Sequence, residues 1–233
     1  CTGLTSFPLI DTSRGTNFLN TWRNCTGLTS FPTIDTSSGT NFETTWTGCT
    51  GLTSFPLIDT SSGIDFRSTW SGCASLTSFP PIDTSNVTNF QSTWYQCTSL
   101  TSFPAINTSN GTNFTSTWFS IKNYTTFPSL NFSSATTFSS AWQYSDYLST
   151  YPANQFDFTG TLVSDAFSGT FVGCALTAQS IENILTSLDT NGATNVTLGI
   201  NFGTNAAYSS WSTAAQIALT NLTNKGWTVT YNT

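Results

Sequence analysis

Residues 25–48 read CTGLTSFPTIDTSSGTNFETTWTG, and residues 49–72 read CTGLTSFPLIDTSSGIDFRSTWSG. A period of 24 residues, held this closely, is the signature of stacked supersecondary units, since one unit cannot bury its own apolar face and needs a neighbour above and below. Working outward, the same frame begins at Cys1, Cys73 and Cys97. Leu4, Leu28, Leu52, Leu76 and Leu100 follow three places later. Then come Phe-Pro pairs headed by Phe7, Phe31, Phe55, Phe79, Phe103 and Phe127, and an Ile at 10, 34, 58, 82 and 106, with Leu130 in the sixth unit. Each unit closes on an aromatic pair, as in Phe18 with Trp22 and Phe138 with Trp142. The sixth unit puts Ile121 for Cys and Tyr124 for Leu, and a seventh, degenerate unit runs from Ser145 to Cys174 with a short insertion.

This pattern predicts a repeat solenoid over residues 1–174, seven coils of 24 residues with one short parallel strand and one helical turn each. Leu-Thr-Ser-Phe is the expected strand, ended by Pro, which has no N–H to donate to a ladder. Seven coils at the usual inter-strand spacing make a rod roughly 30 Å long. Asp-Thr-Ser-x-Gly is turn chemistry, and Asn-Phe-x-x-Thr-Trp places Phe and Trp four apart on one side of a helical turn. The periodic Cys admits two readings, inter-coil disulfides or buried thiols; Ile121 in the same place favours packing. The column Asp11, Asp35, Asp59, Asp83, Asn107, Asn131 could hold calcium, but one carboxylate per unit favours turn capping.

Composition limits the function. The 233-residue chain carries a formal net charge of −6, only 7% charged residues and 15% aromatics. Such a chain has the means to build a core. Five Lys and Arg cannot track a phosphate backbone or a charged membrane surface, so no nucleic acid and no direct membrane insertion is expected. No apolar run approaches the roughly 18 residues of a membrane span. Histidine is absent, which removes Ser-His-Asp and Cys-His catalysis and every His metal site. No catalytic residue, cofactor or metal is expected, and the protein is read as a non-enzyme.

Residues 175–233 read as an α/β capping module. Thr177 caps a helix with Ile181, Ile184, Leu185 and Leu188 on one face and Asn191-Gly192 as its stop; NVTLGINF alternates as a strand; Ser212 caps a second helix with Ile217, Leu219 and Leu222 apolar; WTVTY closes as a strand. A terminal cap of this kind covers the last open sheet edge. The other end starts in register at Cys1 with no initiator Met and no cap, so more repeats, another domain or a neighbouring molecule is expected to cover it; Cys1 is read as the first repeat's Cys rather than as a lipoprotein terminus.

The Cys-x-x-Leu-x-x-Phe-Pro-x-Ile-Asp-Thr-Ser units resemble the BspA-type leucine-rich repeats of bacterial surface proteins and surface lipoproteins, over residues 1 to about 174. The tail resembles the segment closing such repeats in bacteriophage tail-fibre-like and bacterial surface proteins. The resemblance implies a leucine-rich-repeat-like fold and an extracellular, cell-surface or virion-borne binding protein. Trp where that family often has Phe or Met is a departure.

Positions that vary between units face solvent. After each Trp these run Arg23, Thr47, Ser71, Tyr95, Phe119, Gln143, and next Asn24, Gly48, Gly72, Gln96, Ser120, Tyr144. Tyr95, Phe119, Tyr144 and nearby Tyr147 are therefore the candidate ligand-binding residues, suited to a sugar face or a protein contact; rings packing on neighbouring coils is the plainer alternative. Asn-x-Ser/Thr sequons occur at Asn24, Asn86, Asn107, Asn110, Asn113, Asn123, Asn131, Asn195 and Asn221 as candidate glycosylation sites. The expected function is an adhesin or receptor-binding fibre recognising a cell-surface glycan or protein; the alternative is a filament subunit stacking head-to-tail on itself.

Overall fold

The computed structural model describes residues 2–157 and 160–233, so Cys1, the first rung of the thiol column, lies outside the described residues. Over the described residues the chain is a small α/β protein with two α-helices and a two-stranded parallel sheet. In order these are α1 (Ala178–Asn191), β1 (Thr197–Ile200), a 3-10 turn at Tyr208–Ser210, α2 (Thr213–Asn224) and β2 (Thr228–Tyr231). β1 and β2 pair with Leu198 opposite Val229. Both expected N-caps form: Thr177 accepts from the Ser180 N–H and Ser212 from the Ala215 N–H. Gly192 stops α1 at φ 80°, a conformation that costs glycine nothing.

Before Ala178, no helix or regular strand forms among the described residues, which differs from the expectation of one strand and one helical turn per unit. Residues 24 apart nonetheless lie one above another. Asn17 pairs in parallel with Asn41, Asn41 with Asp65, Asp65 with Asn89, Asn89 with Asn113 and Asn113 with Thr137. The pairing thus sits on Asn-Phe-x-x-Thr-Trp, not on Leu-Thr-Ser-Phe. Alternate amides explain why. Phe18, Asn20, Trp22 and Asn24 donate to the carbonyls of Asn41, Glu43, Thr45 and Thr47 in the next unit at 2.7–3.1 Å, while Thr21, Arg23 and Cys25 close local turns onto Phe18, Asn20 and Trp22. A helical turn would aim all its amides back along itself. Here Asn20, Thr44, Ser68, Ser92, Ser116 and Ser140 are left-handed at φ 53–58°, which swings every second N–H toward the neighbouring unit. Leu-Thr-Ser-Phe supplies thinner pairing, such as Thr53 N–H to Thr29 at 3.2 Å and Thr77 N–H to Thr53 at 3.2 Å.

Side chains fill the space between these ladders. Three aromatic columns run through the core: Phe7 to Phe127 and then Tyr151, Phe18 to Phe138 and then Phe167, and Trp22 to Trp142 and then Phe171. Within a unit Phe18 and Trp22 do meet, with centroids 5.9 Å apart. Buried Thr hydroxyls tie units together; the Thr93 Oγ1 lies 2.9 Å from the Phe66 carbonyl and 2.7 Å from that of Phe90.

The C-terminal segment continues the stack with a longer step. Phe167 pairs in parallel with Leu198, and Phe171 and Gly173 donate to Gly199 and Asn201 at 2.9 and 3.0 Å. Phe167 to Leu198 and Leu198 to Val229 are both 31 residues, so the added length holds α1 and α2. α1 buries Ile181, Ile184, Leu185 and Leu188 as expected. α2 differs: Ala215, Ala218, Leu219 and Leu222 face inward and Ile217 is 55% exposed. Small alanines let α2 lie close, and Ile217 falls on the opposite side of the helix.

Candidate functional site

Tyr95, Phe119 and Tyr144 come together. Tyr95 stacks on Phe119 with centroids 4.7 Å apart and planes at 18°, and Phe119 meets Tyr144 edge-on at 5.5 Å and 89°. Tyr95 and Phe119 are half-buried, while Tyr144 is 45% and Tyr147 59% exposed. Tyr147 makes no ring contact with the other three among the described residues. The rings therefore pack on one another across units, as the plainer reading held, and still present a continuous aromatic strip to water.

The strip ends on a backbone position that is left-handed in every unit. Tyr144 sits at φ 59°, and its counterparts Asn24, Gly48, Gly72, Gln96, Ser120 and Gly173 lie at φ 55–76°. A bulky residue in this region costs about 1–3 kcal/mol and persists where surrounding structure imposes it. Gly173 makes room for the ring: a Cβ there would come 2.6 Å from Tyr144 Cδ1. Beside the strip, Lys122 Nζ lies 2.5 Å from Asp146 Oδ2. This exposed pair contributes little to stability but leaves the surface locally neutral.

The two periodic columns resolve into structural roles. Asp11, Asp35 and Asp59 each accept from the backbone N–H and hydroxyl of the Ser two residues on, at 2.6–3.0 Å, and Asn107 does the same with Ser109. The Ser hydroxyl first, and then the Ser N–H, hold the carboxyls of Asp11, Asp35 and Asp59 below the usual Asp value. These are turn-capping residues with their inner oxygens occupied. Among the described residues no group of three or more His, Cys, Asp and Glu is arranged to hold a metal ion.

Cys25, Cys49, Cys73, Cys97 and Cys174 are buried free thiols. Their Sγ atoms do more than pack. Cys49, Cys73, Cys97 and Cys174 lie 3.1–3.3 Å from the carbonyls of Trp22, Trp46, Trp70 and Trp142 one unit earlier. Ser145 Oγ reaches the Trp118 carbonyl at 3.1 Å and Asn205 Nδ2 the Phe171 carbonyl at 2.9 Å, so both continue the column. Sequence reasoning missed this, because the spacing lengthens after residue 145; the shared signal is a small side chain able to donate a hydrogen bond. Burial pushes the Cys49 thiol to about 11 and the Cys97 thiol to about 12.

The sequon asparagines Asn24, Asn86, Asn107, Asn110, Asn123, Asn131 and Asn195 are exposed, and Asn113 and Asn221 are half-buried. Several already use the amide: Asn86, Asn110 and Asn123 Nδ2 donate to Ser61, Ser85 and Thr98 carbonyls of the preceding unit at 2.6–2.8 Å. A surface hollow of about 790 Å³ is lined by Asp157, Thr161, Leu162, Asn191 and Thr194 among others; its carboxylate, Asp157, is held by the Ser187 hydroxyl. No helix among the described residues is long and apolar enough to cross a membrane. Comparison with family models, curated proteins and solved structures finds no match to this chain.

Proposed function

We propose that this chain is a leucine-rich-repeat-like solenoid serving as a non-enzymatic binding protein, displayed outside the cell or on a virion, which holds a cell-surface receptor on the strip formed by Tyr95, Phe119 and Tyr144, together with the exposed Tyr147 three residues further along the chain. The solenoid reading is supported by parallel pairing at a constant 24-residue step from Asn17 to Thr137. The observation that carries the binding reading is the split between positions. The apolar residues repeated from unit to unit are buried in ladders, while positions that vary gather partly exposed rings at one place. Between the two ligand classes, the geometry favours a protein. A sugar stacks on an open ring face, yet Tyr95 and Phe119 turn their faces to each other and present edges. Half-exposed Tyr edges beside a neutralised Lys-Asp pair suit a protein interface, where Tyr is enriched.

The test is binding to host-cell surfaces by the parent and by Tyr144→Ala/Tyr147→Ala, both exposed and expected to fold normally. Loss of binding with unchanged thermal stability supports the strip. Retained binding sinks it, and cell binding that survives protease treatment of the cells, with a matching signal on a glycan array, transfers the ligand to the glycan class.

A second reading is a structural subunit. Parallel pairing at a constant 24-residue step is a geometry that further units of the same kind would extend. Electron microscopy showing fibres with an axial repeat of one subunit favours this reading over the adhesin.

A further inference from the structure

Trp22, Trp46, Trp70, Trp94, Trp118 and Trp142 form one uninterrupted stack. Successive centroids are 5.4, 5.5, 5.8, 6.2 and 5.1 Å apart and successive planes lie within 11° of parallel. We propose that this column is a relay for oxidising equivalents, passing an electron vacancy from any buried indole along the stack to the half-buried Tyr95 and the exposed Tyr144 and Tyr147.

Three features support transport over trapping. First, the six sites are the same side chain in repeated surroundings, all buried, so moving the vacancy one step is nearly free of energy change. Second, the Nε1–H groups of Trp46, Trp70, Trp94 and Trp118 are buried without a hydrogen-bond partner. An oxidised indole normally loses this proton and becomes a neutral radical, which fixes the vacancy in place. With no acceptor the proton stays, and the radical cation can be refilled by its neighbour. The electron-rich faces of the stacked rings stabilise the positive charge while it is there. Third, side sinks are closed. The flanking Phe columns are much harder to oxidise than Trp. The neighbouring thiols are buried and held protonated, well above their ordinary range. Tyr151, 5.2 Å from Trp142, has a buried hydroxyl without a partner and so cannot release its proton.

The outlets differ in one respect: water reaches them. Tyr95 follows Trp94 directly, and Tyr144 and Tyr147 lie two and five residues beyond Trp142, where the Trp column gives way to Phe171. The steps balance. A one-electron oxidant of the oxygen-radical class, such as the carbonate radical anion, takes one electron from an indole and is reduced to carbonate, leaving the indole radical cation. Each neighbour then gives one electron to the one before it. At the outlet a tyrosine gives one electron to the last indole and its phenolic proton to water, leaving a neutral tyrosyl radical on the surface. The relay does not depend on the ligand proposed above.

The experiment places a photo-oxidant at the Trp22 end. Arg23→Cys, in a Cys1→Ser background, offers an exposed thiol beside Trp22 for a ruthenium polypyridyl label, since the described native thiols are buried. After flash-quench with a soluble electron acceptor, transient absorption should show an indole radical cation giving way to a tyrosyl radical, and peptide mapping should place oxidation at Tyr95, Tyr144 and Tyr147. Trp70→Phe, which interrupts the path before every outlet, should lower that yield at least about tenfold, as expected for a step made several kcal/mol uphill. Tyr95→Phe/Tyr144→Phe/Tyr147→Phe alters only the surface and should instead prolong the indole radical cation. Equal tyrosine oxidation with and without Trp70, oxidation confined to Trp22 in the parent, a neutral indole radical in the parent, or an unchanged radical-cation lifetime in the triple Tyr variant would each overturn the relay.

Discussion

Replacing Trp70 by Phe should cost far less than the size of an indole suggests, and the reason lies in its unpartnered N–H. Trp70 is fully buried, stacked at 5.5 Å on Trp46 and 5.8 Å on Trp94, with Phe55 and Phe79 edge-on at 5.2 and 4.7 Å. Trp70→Phe gives up roughly 50 Å² of buried ring, about 1.3 kcal/mol, and part of two stacking contacts worth about 0.5–1.5 kcal/mol each. It also removes a buried donor with no oxygen partner, which penalises the folded state by about 1–3 kcal/mol. A weak contact from that N–H to a Phe face reduces the penalty without reversing it. The terms nearly cancel, and Trp70→Phe should lie within about 1 kcal/mol of the parent. Trp227 is the internal control. It is equally buried, but its Nε1 donates to the Ala193 carbonyl at 2.7 Å. Trp227→Phe therefore loses area and a hydrogen bond, and leaves a half-buried carbonyl unpaired, for about 2–3 kcal/mol. Urea unfolding followed by far-UV circular dichroism should separate the two midpoints by about 1 M, for a slope near 2 kcal/mol per M. A Trp70→Phe loss equal to or larger than that of Trp227→Phe would refute the reasoning, and with it the view that the indole column is held by shape alone.

Asp59→Asn should be close to neutral, because Asn107 and Asn131 already cap the same turn, whereas Asp59→Ala should lower the urea midpoint by an amount typical of a lost cap, about 1 kcal/mol. Because the Asp11, Asp35 and Asp59 carboxyls are held below their ordinary value of 3.8, their contribution is present above that pH and fades as pH falls through the lowered folded value; an acid titration of stability should flatten when all three are Asn. The thiols behave oppositely. Cys49 and Cys97 are raised to about 11 and about 12 from 9.0, so their contribution is complete below pH 9 and is lost as pH rises toward those values, and a disulfide-exchange reagent at pH 8 should label Cys25, Cys49, Cys73, Cys97 and Cys174 only after unfolding. On α2, Ile217→Lys should change stability by less than about 0.5 kcal/mol, while Leu222→Ala should cost about 2–5 kcal/mol; a loss at Ile217 as large as that at Leu222 would contradict the inward face seen in α2.

Much of the architecture was legible before the structure. The 24-residue period, the identity of the core positions, both helix N-caps, the Gly192 stop and the two C-terminal strands follow from apolar spacing and capping chemistry, which are local properties. The turn-capping Asp column was legible for the same reason, since each Asp bonds a Ser two residues away. The gathering of Tyr95, Phe119 and Tyr144 was legible only as shared register; whether their faces or edges meet water was not.

By itself, the sequence determined which residues stack on which, because a strict period leaves a buried side chain one place to repeat. Tertiary structure decided how the backbone carries that stack. The pairing moved from Leu-Thr-Ser-Phe to Asn-Phe-x-x-Thr-Trp because left-handed residues such as Ser68 and Ser92 turn alternate amides onto the neighbouring unit, a choice invisible in residues that tolerate several conformations. It also decided that Cys, Ser145 and Asn205 are one column: three unlike side chains become equivalent only when the chain above them presents the same carbonyl at hydrogen-bond distance.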